Sequence, residues 1–394
     1  MGLFSSLGSD PEAIVENILK DRVTFERPVY DPTTAVSPVH DFNLKDHTGR
    51  FKDARYLNRG VEFALAAALK AINASKLRPD QCERAGLFVG SGPNMDLGGE
   101  CPDIRDGQIV QDPLPALFLL RFLPNTAASA ISRLAGIHGE NLSVGSACAA
   151  SMMAVGEAFR KVKDGYLDLA FAGGGDSRLS PGGILAYKKA QALWQGIEDP
   201  RQTYAPFDVC RTGFVAGEGG ASVLIESLDH AKARGARILA EICGYGSAMD
   251  GYTMTAPEPQ GTWAEHAVQH ALSEAGLNPG DVDLISTHGT GTVLNDRMEA
   301  GMIQRVFKGH SPKITALKSW IGHLASACGA VELALCLSCL ELGLFPGVRN
   351  LVEPLNPELH FLKAPTSMNP RTILLENFGF GGQNSALVIQ SWKP

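Results

Sequence analysis

The chain has 394 residues, is 44% hydrophobic and carries a formal net charge of −7, which excludes a disordered polar chain and argues against a nucleic-acid binder, whose domain is basic as a rule. Its eight cysteines, at 82, 101, 148, 210, 243, 328, 336 and 339, lack the spacing of a disulfide framework, so the expected compartment is a reducing cytoplasm. The N-terminus reaches Asp10 and Glu12 without the basic and apolar regions of a signal peptide, and no uncharged apolar run has the about 18 to 20 residues of a membrane helix.

Apolar runs alternate with amphipathic helices from end to end, the pattern of an α/β protein with mostly parallel strands. In the first half the spacing predicts a helix over 59–74, strands over 85–90 and 141–145, a helix over 148–164 and a strand over 168–173. In the second half it predicts strands over 221–226, 238–244, 282–287 and 313–319, with helices over 263–276, 295–307 and 324–342. The last helix is apolar on nearly every face apart from Glu332, as a helix enclosed between sheets should be.

Cys148 stands at a strand-to-helix turn in Ser146-Ala147-Cys148-Ala149-Ala150. A thiol that opens a helix meets unpaired N–H groups and the positive end of the dipole, so its thiolate is expected to be a nucleophile near neutral pH. Two histidines occupy comparable turns, His288 in Thr287-His288-Gly289-Thr290-Gly291-Thr292 and His323 in Lys318-Ser319-Trp320-Ile321-Gly322-His323-Leu324. The strand-turn-helix around Cys148 rhymes with the one around His323, and small residues such as Ala149, Ala150, Ser151, Ala325, Ala327 and Gly329 would let the two helices approach closely. The chemistry expected is that of a carbonyl handled through a thioester.

These segments, together with Gly213-Phe214-Val215-Ala216-Gly217-Glu218-Gly219 and Asn377-Phe378-Gly379-Phe380-Gly381-Gly382, resemble the elongating β-ketoacyl-[acyl-carrier-protein] synthases over almost the whole chain. The resemblance implies a thiolase-like α/β fold, a duplicated five-layer α-β-α-β-α arrangement. One half, 1–235, would carry the nucleophilic cysteine, and the other, 236–394, both histidines. It implies a decarboxylating Claisen condensation that joins an acyl thioester on Cys148 to malonyl-acyl carrier protein and yields 3-oxoacyl-acyl carrier protein. The implied partners are the acyl carrier protein and a second copy of the chain. The implied tether is the carrier's phosphopantetheine arm, with no bound cofactor.

By the same resemblance His288 and His323 are donors to the enolate oxygen, and the backbone N–H groups of Cys148 and Phe380 hold the tetrahedral oxyanion. Lys318 and Glu332 form a buried charged network that orients the imidazoles or a purely architectural ion pair, Asp296 and Glu299, which follow His288, carry over as structural or network groups, and Thr290 and Thr292 contact the pantetheine arm. Phe378 and Phe380 match an acyl gate, and Ala127, a small side chain, matches the chain-length position. Lys52, Arg55 and Arg59 are candidates for steering an acidic carrier, with a solvated helix start as the plain reading. No metal site is expected: Cys336 and Cys339 lie in an apolar helix without a second ligand pair. Gly173-Gly174-Gly175 lacks dinucleotide-fingerprint spacing.

The alternative is a non-catalytic or decarboxylase-only partner subunit of a specialised pathway; Cys148 favours the enzyme. A biosynthetic thiolase would want a second cysteine near Asn377 to Gly382, and a chalcone-type synthase would want Asn where His323 stands. The sequence departs from the family at Trp320, commonly a smaller residue, and at its start, where the family's opening apolar strand is expected to be missing and to leave sheet edge exposed.

Overall fold

The computed structural model describes residues 1–93, 103–111 and 116–392. Two mixed sheets carry the chain, which passes from one to the other between Glu226 and Ala240. In the first, β1 (Gly2–Phe4), β2 (Gly86–Gly90), β3 (Asn141–Val144), β4 (Leu169–Ser177) and β5 (Ala216–Glu226) lie in the order β1-β5-β4-β2-β3, with the two-residue strand Val36–Ser37 beside the start of β5. In the second, β6 (Ala240–Met249), β7 (Leu284–Ser286), β8 (Lys313–Thr315), β9 (His360–Phe361), β10 (Thr372–Gly379) and β11 (Gln383–Ser391) run β9-β8-β7-β10-β11-β6. Apart from β9 and the short strand, the halves repeat one topology: β1, β2, β3, β4 and β5 correspond to β6, β7, β8, β10 and β11. Each has the same parallel and antiparallel pairings.

Helices fill three layers around the sheets. Outside the first sheet, α1 (Arg59–Ser75) is started by Asn58, whose side chain accepts from the N–H of Val61, and it buries Phe63, Leu65 and a run of alanines against β4 and β5. Outside the second, α3 (Thr262–Ala275) packs on β6 and β11. Between the sheets lie α2 (Ala150–Lys163) and α4 (Cys328–Leu342), and α4 is buried along almost its whole length. This is the five-layer thiolase-like arrangement. The segment 325–342 is long and apolar enough to cross a membrane, yet 83% of it is buried inside the protein, so its apolarity belongs to the core.

The two central helices approach closely because small residues face each other. A Cβ on Gly329 would stand 2.5 Å from the Met152 Cβ and 2.7 Å from the Met152 nitrogen, and the Ser151 hydroxyl accepts the Ala330 N–H at 3.0 Å. The Gly173-Gly174-Gly175 run has a structural cause: Cβ atoms there would strike the backbone of β5, β2 and α1.

Element boundaries differ from the sequence reading in two informative places. The strand expected over 313–319 ends at Thr315, and Lys318–Ile321 is a helical turn followed by Gly322 at φ +73°. The rhyme between halves is also offset: the 3₁₀ turn Ala147–Ala149 leading into α2 matches the turn Ala325–Ala327 leading into α4. The counterpart of Cys148 is therefore Ser326, while His323 precedes the matching turn. Ala147 and Ala325 both hold positive φ, +46° and +45°, a strain of about 1 to 3 kcal/mol each that the packed helices must hold in place. At the N-terminus, β1 pairs three residues with β5, whereas its counterpart β6 pairs nine with β11. Val223 to Glu226 line a groove of about 1120 Å³ together with Met1, Phe159 and Leu337.

Gly329→Ala is expected to lower stability by about 1 to 3 kcal/mol through overpacking between α2 and α4, read as a lower denaturant midpoint with unchanged slope.

Candidate active site

Cys148 lies in the 3₁₀ turn before α2, half-buried, with the end of β10 pressed against it. Gly379 makes that contact possible, because a Cβ there would stand 3.0 Å from the Ser146 carbonyl and 3.1 Å from the Cys148 nitrogen. The thiolate expected from the helix position is not the resting form: burial pushes the Cys148 pKa up, opposed by the nearby Arg178 and Lys318 cations and by the Phe380 N–H. A helix start that is also desolvated loses more to burial than it gains from the dipole.

His288 follows β7, and its backbone is clamped by one carboxylate: Glu299 Oε1 accepts the His288 N–H at 2.6 Å and Oε2 accepts the Gly289 N–H at 2.9 Å. Asn295 donates to the same carboxylate at 3.0 Å. His323 is stitched to the start of β5, donating its N–H to the Val215 carbonyl at 2.7 Å and accepting from Gly217 at 2.9 Å. That is what the Gly213–Gly219 segment does. The two rings meet edge to face with centroids 5.6 Å apart, and Phe378 packs edge-on against His288 at 5.7 Å.

The Ala325 N–H donates to His323 Nδ1 at 2.9 Å, which assigns the proton of the neutral ring to Nε2. Burial drives both imidazole pKa values well below the usual value, and Lys318 adds to the effect on each. Both rings are neutral at pH 7 and so each carries one N–H donor. His288 Nδ1 is buried with no hydrogen-bond partner among the described residues.

Lys318 and Glu332, both almost fully buried, join at 2.6 Å, and Asn377 donates to the other Glu332 oxygen at 2.7 Å. Burial is the largest single influence and would lower the Lys318 pKa, but the charge and hydrogen bond of Glu332, with smaller contributions from Cys328 and Glu299, together raise it and hold the ammonium protonated. Thr290 and Thr292 share a 2.9 Å hydroxyl contact. Their loop is fixed by Asp296, which accepts from the N–H groups of Phe207 at 2.7 Å and Gly291 at 3.1 Å, and by Arg211, which donates to the Thr292 and Val293 carbonyls. Glu299 is lifted to about 7 by burial and by the Asp296 charge. Phe378 is buried and Phe380 is exposed.

The structure does not bring every sequence candidate to this place. Arg59 is no free carrier contact: its guanidinium forks onto the buried Glu218 at 2.9 to 3.3 Å, donates to the Val39 carbonyl and lies over Phe63. Lys52 and Arg55 are exposed in the short turn before α1. Ala127 is buried at the start of the helix Thr126–Ala135, in the apolar cluster with Val89 and Ile131. Trp320 is accommodated by burial and by donating Nε1–H to the Gly347 carbonyl at 2.7 Å. Sequence reading missed Asp176, which accepts from the Ser326 N–H at 3.0 Å and hydroxyl at 2.7 Å, and missed Arg178, paired with it. The charged pair directly after a glycine run was the available signal. Among the described residues no cluster of His, Cys, Asp and Glu is arranged to hold a metal ion.

Two sheets of identical topology that enclose a pair of buried helices define a thiolase-like fold. Residues 1–231 match the model of the beta-ketoacyl synthase N-terminal domain and 239–352 that of the C-terminal domain, and the chain belongs to this family. It is 32% identical over 411 residues to 3-oxoacyl-[acyl-carrier-protein] synthase 2 of Staphylococcus aureus strain COL, covering 100% of this chain and 97% of the relative. Among solved structures, a beta-ketoacyl synthase from Burkholderia phymatum STM815 superposes with a TM-score of 0.88 at 27% identity, covering 100% of this chain and 98% of that one. A ketosynthase bound to its type II polyketide synthase acyl-carrier protein superposes at 0.84 and 25% identity, again covering 100% and 98%.

Lys318→Met leaves Glu332 buried and uncompensated and should cost about 3 to 5 kcal/mol, measured by chemical denaturation. A pH effect follows from the rings. The unfolded chain protonates its imidazoles near 6.5 while the folded chain does not. The rings' contribution to stability is therefore flat above that pH and declines below it. Glu299, raised in the fold, contributes in the opposite sense over about 4.5 to 7. In melting curves between pH 8 and 5, His288→Gln should lose less stability on acidification than the parent does.

Proposed function

We propose that this chain is an acyltransferase that performs the decarboxylating condensation of an acyl thioester with malonyl-acyl carrier protein. The observation that carries it is that the turn bearing Cys148 packs against the turn just after His323 and against the strand end whose Phe378 touches the His288 ring, with the two imidazole centroids 5.6 Å apart. Cys148 attacks the carrier-bound acyl thioester, the tetrahedral oxyanion is held by the N–H groups of Cys148 and Phe380, and the carrier thiol leaves. Malonyl-carrier follows, and carbon dioxide departs with its electron pair left on the α-carbon. The enolate oxygen accepts from the N–H of His288 and from Nε2–H of His323. That carbon attacks the acyl-Cys148 carbonyl and the cysteine leaves as thiolate and takes up a proton, so the product is a 3-oxoacyl thioester two carbons longer on the carrier.

Neutral rings suit this step, since a donor that stays neutral stabilises the enolate without being neutralised by it. The raised resting pKa of Cys148 is compatible with the first step, in which nearby Arg178 and Lys318 favour the transient thiolate. Thr290 and Thr292, on a loop that Arg211 and Asp296 immobilise, are positioned to bind the phosphopantetheine arm, with Phe378 and Phe380 gating the acyl chain and Ala127 lining its far end. Lys52 and Arg55 supply positive charge for the carrier on a chain of net charge −7.

The compartment proposed is the cytoplasm, and the assembly a homodimer. β3 pairs only with β2 among the described strands and exposes Leu142, and Phe118, Leu119 and Phe122 are exposed nearby in sequence. A second copy adding its own β3 would cover that edge.

The reading is tested by intact-protein mass spectrometry after incubation with acyl-carrier protein: an acyl adduct maps to Cys148, Cys148→Ala carries none, and condensation falls to background. His323→Ala should lose malonyl decarboxylation by at least about a hundredfold. A variant that decarboxylates at the parent rate would remove His323 from the mechanism. A non-catalytic partner subunit would show no adduct in any of these experiments.

A further inference from the structure

The proposed condensation uses the charge of Arg178 to favour the thiolate but gives its remaining hydrogen-bond donors no task. Arg178 is a close electrostatic neighbour of both Cys148 and His323. It reaches them from the loop after β4, and its side chain is only 13% exposed. Its Nε and Nη2 are spent on Asp176, at 3.2 and 3.1 Å, and Asp176 is held in turn by Ser326 at the strained turn before α4. The fork is thus fixed at its base. Nη1 carries two further N–H donors, and among the described residues the hydrogen bonds of the guanidinium are those from Nε and Nη2 to Asp176.

The surroundings are built for such a group. Gly92 has no side chain, and a Cβ there would stand 2.7 Å from Asp176 Oδ2 and overlap the Arg178 guanidinium. Tyr187 lies under the guanidinium at 5.7 Å and packs edge-on against Phe214 at 5.1 Å, which in turn packs on the His323 ring at 4.7 Å. The set Gly92, Arg178, Tyr187 and Phe214 is therefore contiguous with the catalytic rings. It lies on the His323 side of the site, away from His288 and the threonine loop assigned to the pantetheine arm. Burial keeps the Tyr187 hydroxyl protonated.

We propose that Arg178 and Tyr187 form a polar subsite for the acyl group carried on Cys148, selecting acyl chains that bear a neutral oxygen acceptor close to the thioester, a 3-oxo or 3-hydroxy group, over fully saturated chains. The preference for a neutral acceptor over a carboxylate follows from Asp176. It already balances the guanidinium, so a second anion would be desolvated beside a carboxylate with no cation of its own. A saturated chain would instead leave the Nη1 donors dehydrated and unpaired, the arrangement that discriminates most strongly between analogues. The enzyme would then extend chains whose previous 3-oxo group has not been fully reduced. This proposal rests on the condensation reading and specifies its substrate.

The test compares acylation of Cys148 by butyryl, 3-hydroxybutyryl, 3-oxobutyryl and succinyl thioesters of the carrier, read by mass spectrometry as initial rates. The parent should favour the 3-oxo or 3-hydroxy chain over butyryl by at least about tenfold, and succinyl should not exceed butyryl. Arg178→Met should collapse that ratio toward one, and Arg178→Lys, which keeps the charge and loses the fork, should restore it only in part. The ratio is the diagnostic quantity, because a general effect on the thiol changes all four rates together. A parent enzyme without preference, or a variant in which all rates fall by one factor, overturns the subsite and leaves the condensation intact. Acylation by none of the four, in the parent, would instead sink the condensation reading. The parent's own selectivity decides the matter even if the variants do not fold.

Discussion

The site depends on how closely two buried helices pack. α2 and α4 touch through Ser151, Met152, Gly329 and Ala330, and this contact brings the turn carrying Cys148 and the turn after His323 to one point. Both turns require an alanine at positive φ, a conformation that an isolated strand-turn-helix would relax. The fold meets the cost by enclosing both helices between sheets, so that straightening either turn would open this buried layer. Wider side chains at the crossing would separate the thiol from the rings without touching either.

The electrostatic arrangement follows from that burial. Groups in the central layer lose solvent, and each is either neutral or paired: both imidazoles stay uncharged, Lys318 is answered by Glu332, and Arg178 by Asp176. Carboxylates close to the rings act through backbone N–H groups rather than through the imidazoles. Glu299 grips the His288 and Gly289 amides, and Asp296 grips Phe207 and Gly291. The acids in the His288 helix therefore position the histidine loop and do not tune the ring by direct contact.

Much of this could be read from the chain because its signals are local. A cysteine flanked by alanines at a strand end, histidines in glycine-rich turns and an apolar helix around Glu332 are visible in single windows, and the strands that were expected overlap observed ones, whereas β10 and β11 were not anticipated. What could not be read depends on distant partners. Arg59 looks like a free basic residue until Glu218, far along the chain, is seen to hold it. The rhyme between halves pointed to His323 as the match of Cys148, and only the paired 3₁₀ turns reveal Ser326 in that place. The thiol's pKa was misjudged for the same reason: the dipole is a property of the local turn, whereas desolvation is supplied by strand β10 and the opposite half. Asp176 and Arg178 followed a glycine run whose own purpose, close packing of β4, becomes evident only once its neighbouring backbones are in place.

The central claim, that a carrier-delivered chain reaches Cys148 next to both rings, is tested most directly by cross-linking. An acyl carrier protein whose pantetheine arm ends in an α-bromoacyl group is incubated with the protein, and the linked peptide is mapped. The account predicts one cross-link, to Cys148, that is suppressed by prior acylation of that thiol. A link to another cysteine, or none while Cys148 still reacts with a free α-bromoacyl pantetheine, would contradict it.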